Sequence, residues 1–338
     1  MKTIVTILAF SLLLAGAAAA DETTISGFVD ASWFLDANSE HHTFGLDQAE
    51  VDVERRVGED LVLRADLEWV KDGDGWAQDA EQGFLAWSPA SLGGATLTFG
   101  KFNAPIGFEL LDAPDMYQYS HSLLFDHALP TNLTGVMYAR PVGESFDLCA
   151  YWVNGWDVNE AAGDGPETYG GRLGYSLGEK GVVGLSAIRG TEMLPVTLTT
   201  KAVDTAPLDR TVFDVDLTLT PADGWLIGGE LNLGKVEAED GASADWTGFM
   251  LMANRTLTDR MALTLRFDRL DDPDGAVFGQ GEDVRSSLTI SPSWVLDDGL
   301  TALFELRQDM SDQELWFDAD GQPTDTALTA ALEVTAVF

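Results

Sequence analysis

From residue 21 onward the chain repeats one pattern, runs of about ten residues in which apolar and polar side chains alternate, so that on an extended strand they point to opposite faces. In "LVLRADLEWV" the residues Leu61, Leu63, Ala65, Leu67 and Trp69 share one face, and Arg64, Asp66 and Glu68 share the other. "MALTLRFDRL" sets Met261, Leu263, Leu265 and Phe267 against Thr264, Arg266 and Asp268. The pattern predicts strands at 25–34, 45–57, 61–70, 80–88, 95–102, 132–141, 145–154, 169–177, 181–190, 210–220, 225–236, 245–256, 261–270, 284–295, 300–309 and 326–338. The connections alternate as well. "VGED", "SPASLGG", "PVGES", "LGEKG", "TPADG", "TLTD" and "LDDG" read as tight turns, each between two longer, acidic connections.

Strands of about ten residues suit a bilayer crossed at a tilt of ~45°. A soluble sandwich or propeller also alternates, but nothing in its architecture keeps every second connection minimal. Alternation alone leaves open which face points inward, and size decides. A closed ring of about sixteen strands is too wide for its own side chains to fill, so its interior is polar and wet and its apolar face meets lipid. The expectation is an all-β, transmembrane, antiparallel up-and-down barrel of about 16 strands (range about 14–18), with short periplasmic turns and long acidic extracellular loops. Trp33, Trp69, Trp87, Trp152, Trp225, Trp246 and Trp294 lie near strand ends, where interfacial girdles form.

The first residues, "MKTIVTILAFSLLLAGAAAADE", combine a Lys, a short apolar run and small residues, which reads as a secretory signal over 1–20 with the barrel over 21–338. The apolar run is shorter than a membrane helix requires. The formal charge of −37 argues against nucleic acid as a partner. Cys149 is the only cysteine, which excludes an internal disulfide, and no Cys and His spacing fits a structural metal site. No cofactor is called for.

On the polar faces Glu50, Asp52, Glu54, Arg64, Asp66, Glu68, Arg140, Arg172, Arg266, Asp268, Arg285 and Arg307 are expected to line the lumen. Facing rows of opposite charge there order water and filter ions. The long loops, such as "DDPDG" at 271–275 and "DQELWFDADGQPTD" at 312–325, are acidic, which points to a cation-preferring channel or to bridging with lipopolysaccharide through divalent cations. "DGDG" at 72–75 and "DADG" at 318–321 are fragments of a calcium loop without its full spacing. A competing reading is an outer-membrane hydrolase using "YSHSLLFDH", with Ser120, His121, Ser122, Asp126 and His127, but no nucleophile elbow surrounds either serine. A non-conducting barrel acting as anchor or adhesin uses the same strand pattern.

"GKFNAPIGFELLDAPDMYQYSHSLLF" resembles the motif of the OmpL-like beta-barrel porin-2 family, with a looser likeness to phosphate-selective porins. Gly100, Lys101, Phe102, Asn103, Pro105, Gly107 and Glu109 match the motif, and Asp112 and Pro114 match its continuation. The resemblance implies a pore-forming barrel of the bacterial outer membrane, surrounded by lipid and lipopolysaccharide and passing small solutes or ions. The terminal strand ending in Phe338 resembles the signal read by the barrel assembly machinery. Phosphate selectivity does not carry over, because this chain is poor in lysine. Trimers are common among similar porins, and a long third loop often folds into their lumen. By that likeness the fifth strand reaches the extracellular rim, and 103–131 becomes a third loop whose Glu109, Asp112, Asp115, Tyr117 and Tyr119 form a constriction.

Overall fold

The computed structural model describes residues 22–72, 75–161, 165, 167–197, 203–279 and 281–338. The signal expected over 1–20 and the centre of "DGDG" lie outside the described residues. The strands are β1 (Glu22–Asp36), β2 (His41–Val57), β3 (Leu61–Asp72), β4 (Gly75–Trp87), β5 (Thr96–Asn103), β6 (Asn132–Val142), β7 (Phe146–Val153), β8 (Thr168–Ser176) and β9 (Gly181–Thr197). They continue with β10 (Val203–Leu219), β11 (Trp225–Glu237), β12 (Ser243–Thr258), β13 (Met261–Asp272), β14 (Asp283–Asp297), β15 (Leu300–Ser311), β16 (Trp316–Phe317), β17 (Pro323–Thr324) and β18 (Thr326–Val337). Each barrel strand pairs antiparallel with its sequence neighbours, and β18 closes the ring on β1, with Phe28 opposite Val337 and Asp36 opposite Thr329. Sixteen strands make the closed barrel, while β16 and β17 form a separate small hairpin in the last loop. Closure gives every barrel strand a partner on each side, which is the condition for a sheet to sit in lipid.

Burial is inverted relative to a soluble protein. Phe213, Leu251 and Leu288 are 58%, 58% and 53% exposed on the outer face, whereas Asp66, Asn232, Thr264 and Ser287 on the inner face are fully buried. The barrel strands run from 8 to 17 residues, longer in places than the alternation indicates. The first loop is short because its strands run on as a ladder to Asp36 opposite His41, and β9 and β10 stay paired up to Thr197 opposite Val203. Alternation overstates loop length there, since polar, acidic residues at a strand end also suit a ladder that rises into water.

Two further details differ from the sequence reading. Trp33, Trp69 and Trp152 lie outward near the loop end, and Trp87, Trp225 and Trp294 lie outward near the turn end, so six of the seven tryptophans form two interfacial belts. Trp246 is the exception: it is buried inside, opposite Gly234, with its indole N–H donating to Asn232 Oδ1 at 2.8 Å. The absent side chain at Gly234 makes the room. The fifth strand also stops short. β4 pairs with β5 only over Gly83–Trp87, so Gly75–Gln82 continue toward the loop end without it. The chain leaves the ladder after Asn103 from within the barrel rather than at the rim.

Candidate functional site

Beyond Asn103 the motif residues direct the chain. Gly100 holds φ +132, and a Cβ there would run into the Gly83 carbonyl of the neighbouring strand. Asn103 Oδ1 accepts from Asn132 Nδ2 at 2.7 Å, joining the two ends of the third loop, and Lys101 Nζ reaches Asp79 Oδ2 at 2.5 Å. Pro105 lacks the N–H that a ladder would need. Gly107 turns the backbone at φ +85, where a Cβ would press against Leu129 Cδ1 at 2.5 Å. Phe102, Ile106, Leu123, Ala128 and Leu129 then pack with inward residues of β6 to β13, including Leu133, Met137, Tyr151, Ile188, Val212 and Leu270. The helix α1 (Leu123–Ala128), capped by Ser122 Oγ accepting from the Phe125 N–H at 3.3 Å, supplies part of this apolar face. One side of the lumen is thus a dry core, and it holds the loop inside the ring.

Polar contacts extend the attachment around the wall. The Phe108 N–H donates to Glu230 Oε2 at 2.7 Å, and the Ser120 N–H donates to Glu305 Oε2 at 3.2 Å. Gln118 Nε2 donates to Ser291 Oγ at 3.2 Å, and Tyr119 Oη lies 3.3 Å from Ser32 Oγ on β1. At the centre stands Arg266 on β13, 1% exposed. Its guanidinium donates to Glu109 Oε1 at 2.7 Å, Ser120 O at 2.6 Å, Ser120 Oγ at 3.2 Å, His121 O at 2.8 Å and Asp268 Oδ2 at 3.1 Å. Asp268 Oδ1 in turn accepts from the Leu123 N–H at 2.9 Å, and Arg307 Nη1 donates to His121 O at 2.7 Å. Burial would raise the Glu109 carboxyl, but Arg266, His121 and Ser122 outweigh it and hold it below the usual carboxylate range. Burial, then Glu81 and Asp115, push Asp112 up to about 8. Burial also raises Asp115, opposed by Arg64, and it raises both Tyr117 and Tyr119.

Glu50, Asp52, Glu54, Arg64, Asp66, Glu68, Arg172, Arg266, Asp268, Arg285 and Arg307 all lie on the inner face. They fall into separate groups. Arg64 Nε meets both oxygens of Asp66 at 2.8 Å within an acidic patch on β2–β4, and Arg172 pairs with Asp216. Arg285 lies 3.7 Å over the Phe278 ring and 2.7 Å from Asp283. Arg266, Asp268 and Arg307 belong to the loop's anchorage rather than to open wall.

Arg140 is a correction. The inward residues of β6 are Leu133, Met137 and Ala139, so Arg140 falls on the outer face opposite Leu148, exposed at the turn end, with Nε bonded to Pro141 O at 3.4 Å. Such a position lets the long side chain reach the headgroup layer.

The sequence reading missed Arg210, which is paired with Glu192 at 3.3 Å and stacked on Trp156 at 4.1 Å, as well as Asp214, Asp216 and Glu230. Alternation in "FDVDLTL" carries that signal for the two aspartates. Glu81 was missed for another reason: the pairing slips between Asp66–Gln82 and Leu67–Ala80, and the extra residue turns inward and is fully buried.

The hydrolase candidates have other tasks. Ser120 serves Arg266, Ser122 caps α1, and His121 Nε2 lies 2.9 Å from Leu110 O with its ring stacked on Phe125 at 3.9 Å. In "DADG" the Asp318 carboxylate accepts from the amides of Asp320 and Gln322 at 3.0 and 2.8 Å, so it shapes the β16–β17 turn. The loop separates two cavities. One of about 340 Å³ faces the turn end beside Pro114, Met116 and Tyr117, and one of about 210 Å³ faces the loop end beside Asp126, His127 and Arg307.

A closed sixteen-stranded ring with a polar interior, an apolar exterior and a third loop folded into its lumen is the architecture of a bacterial outer-membrane porin. The chain belongs to the family "Putative beta-barrel porin-2, OmpL-like", which it matches over residues 23–338, and it is a protein of the outer membrane. Among solved structures its fold is similar to the trimer form of OmpT, an outer membrane protein of Vibrio cholerae, at TM-score 0.70 and 12% identity, covering 95% of this chain and 100% of that one. It is likewise similar to the outer membrane channel DcaP of Acinetobacter baumannii (TM-score 0.69, 11% identity, 96% and 100% covered). A third likeness is to an anion-selective porin from Comamonas acidovorans (TM-score 0.67, 12% identity, 94% and 100% covered). No curated protein matches the chain by sequence.

Proposed function

We propose that the barrel is a passive diffusion channel for small hydrophilic solutes or ions, narrowed by its third loop and preferring cations. One observation carries this reading: the loop presents Asp112 and Asp115 inside the lumen toward a wall whose inner face carries Asp52, Glu54 and Glu68, each still part-exposed. Arg64, a cation in that patch, is held by Asp66 and Asp52 at 2.8 and 3.6 Å. Excess carboxylate in a narrow, low-dielectric passage raises the local cation concentration and repels anions. The named preference of the Comamonas protein is therefore not transferred with the fold. Glu109, Asp112, Asp115, Tyr117 and Tyr119 are the constriction in this reading, with Glu109 acting from beneath as the loop's anchor. A secretory signal, recognition of the last strand by the barrel assembly machinery and a homotrimer in lipid and lipopolysaccharide belong to the same proposal.

The test is the purified, refolded protein in a planar bilayer under a KCl gradient. Discrete opening steps with a reversal potential on the potassium side are expected, and an anion-side reversal overturns the selectivity. A second reading, a barrel that anchors or adheres without conducting, is favoured by the loop's reach from Glu230 on β11, held by the Phe108 N–H, to Ser32 on β1, beside Tyr119. Silence across salt and voltage selects it.

A further inference from the structure

Cross-strand register sets Glu50 directly opposite Glu68, and the bulge in β4 adds Glu81 beside them. One carboxylate oxygen from each of the three lies within 4.8 Å of the others. Like charges directly opposite on neighbouring strands repel, and burial strengthens the repulsion. Yet Glu50 is 2% exposed and Glu81 is fully buried, and none of their four carboxylate oxygens has a hydrogen-bond partner.

The nearby cations have other partners. Arg64 is held by Asp66 and Asp52, Lys101 by Asp79, and Lys71 by Asp47 at 3.9 Å. Gln48 Nε2 donates to Glu68 Oε2 at 3.1 Å, which leaves the other Glu68 oxygen for the cluster. From the lumen side Asp112 of the third loop faces Glu81, and its Oδ1 is buried without a partner. The neighbouring triad of Glu50, Asp52 and Asp66 has the same spacing but contains Arg64 and Gln82, which donates to Asp66 at 2.6 Å. The unmet charge is therefore at Glu50, Glu68 and Glu81.

We propose that Glu50, Glu68 and Glu81, joined by Asp112 from the third loop, form a resident Ca2+ site that ties the loop to the β2–β4 wall. Ca2+ takes oxygen ligands at about 2.3–2.6 Å, so ligands on one ion stand at most about 4.6–5.2 Å apart, a span that three oxygens within 4.8 Å of one another fit. Mg2+, at about 2.1 Å with a rigid octahedron, needs a tighter set and keeps its waters. The ion supplies the countercharge the cluster lacks, and bidentate carboxylates and water complete its shell.

The experiment uses the mature chain refolded in detergent, stripped with chelator and titrated with Ca2+ alone by calorimetry, with thermal unfolding in parallel. None of its readouts depends on conduction, so its outcome is separate from that of the channel reading. Wild type is expected to show a saturable site and a raised unfolding midpoint, because a ligand that binds only the folded state stabilises it. Glu50→Gln and Glu81→Gln are expected to weaken binding at least tenfold and to abolish the shift. A variant of the outer rim, Glu314→Gln with Asp320→Asn, keeps both. In wild type alone, Ca2+ must also slow proteolysis within 104–131. Absence of saturable binding, unchanged cleavage, or a Ca2+ response undiminished in Glu50→Gln and Glu81→Gln overturns the site and leaves protons shared between the carboxylates as the explanation.

Discussion

Arg266 shows what a single residue decides in this barrel. A buried guanidinium is tolerated only when its donors are occupied, and here two carboxylates and two backbone carbonyls occupy them. Three of these partners, Glu109, Ser120 and His121, come from the third loop, so one side chain joins wall and loop. Replacing it by Met leaves Glu109 and Asp268 buried beside an apolar chain, a loss of about 3–5 kcal/mol for a broken buried pair. Since the strand ladder is untouched, the loss falls on the loop. Arg266→Met is expected to leave the β-sheet circular dichroism unchanged while single-channel conductance rises and becomes noisy; a conductance identical to wild type contradicts the anchoring role. Alternation in "MALTLRFDRL" was enough to point Arg266 inward. Its main partner lies 157 positions away, a contact that no local period encodes. Arg140 marks the opposite limit: β6 turns Leu133, Met137 and Ala139 inward to pack in the core that holds the third loop, so polarity there does not mark the lumen face.

At the scale of elements, the strands were legible because each repeats one two-residue rule many times, and the tight turns because Gly, Pro and Asp punctuate them. The bulge in β4 and the early end of β5 were not legible, since both depend on where a neighbouring strand starts and stops. The third loop was visible as a motif and a gap in the alternation, while its route was not. That route rests on Phe102, Ile106, Leu123 and Leu129 meeting inward apolar residues of distant strands. Its polar tie is pH-dependent. Glu109 is held below the usual carboxylate range while facing Arg266 and His121, with Asp126 and Glu230 as the nearby acids. A depressed folded-state pKa contributes stability that is complete above the unfolded value, about 4.3, and is lost as pH falls through the folded value. Loop attachment is therefore expected to persist from neutral pH down to about 4.3 and to weaken only in stronger acid. Amide hydrogen exchange of 104–131 measures this, and Glu109→Gln should give the acid-like exchange already at pH 7. Weakening that begins near pH 6 would assign the tie to a different group.

For the whole molecule the question is which of its many carboxylates act on a passing ion. The net charge of −37 is divided between an outer rim of acidic loops and the interior of a closed ring, and these two populations meet different dielectrics. Rim charges such as Glu314, Asp320 and Asp325 are exposed to bulk salt. Their reach is a Debye length, about 30 Å in 0.01 M salt and about 3 Å in 1 M. Asp115 of the loop sits within the lumen between low-dielectric walls, where screening is weaker. The two contributions therefore separate with ionic strength. Combining Glu314→Gln, Asp320→Asn and Asp325→Asn is expected to lower the potassium-to-chloride permeability ratio in dilute salt and to leave it at the wild-type value in 1 M salt. Asp115→Asn is expected to lower it at both. Reversal potentials across matched gradients at low and high mean salt measure the difference. If the rim variant still lowers the ratio in 1 M salt, selectivity is set at the mouth, and the inward loop acts only as an obstruction.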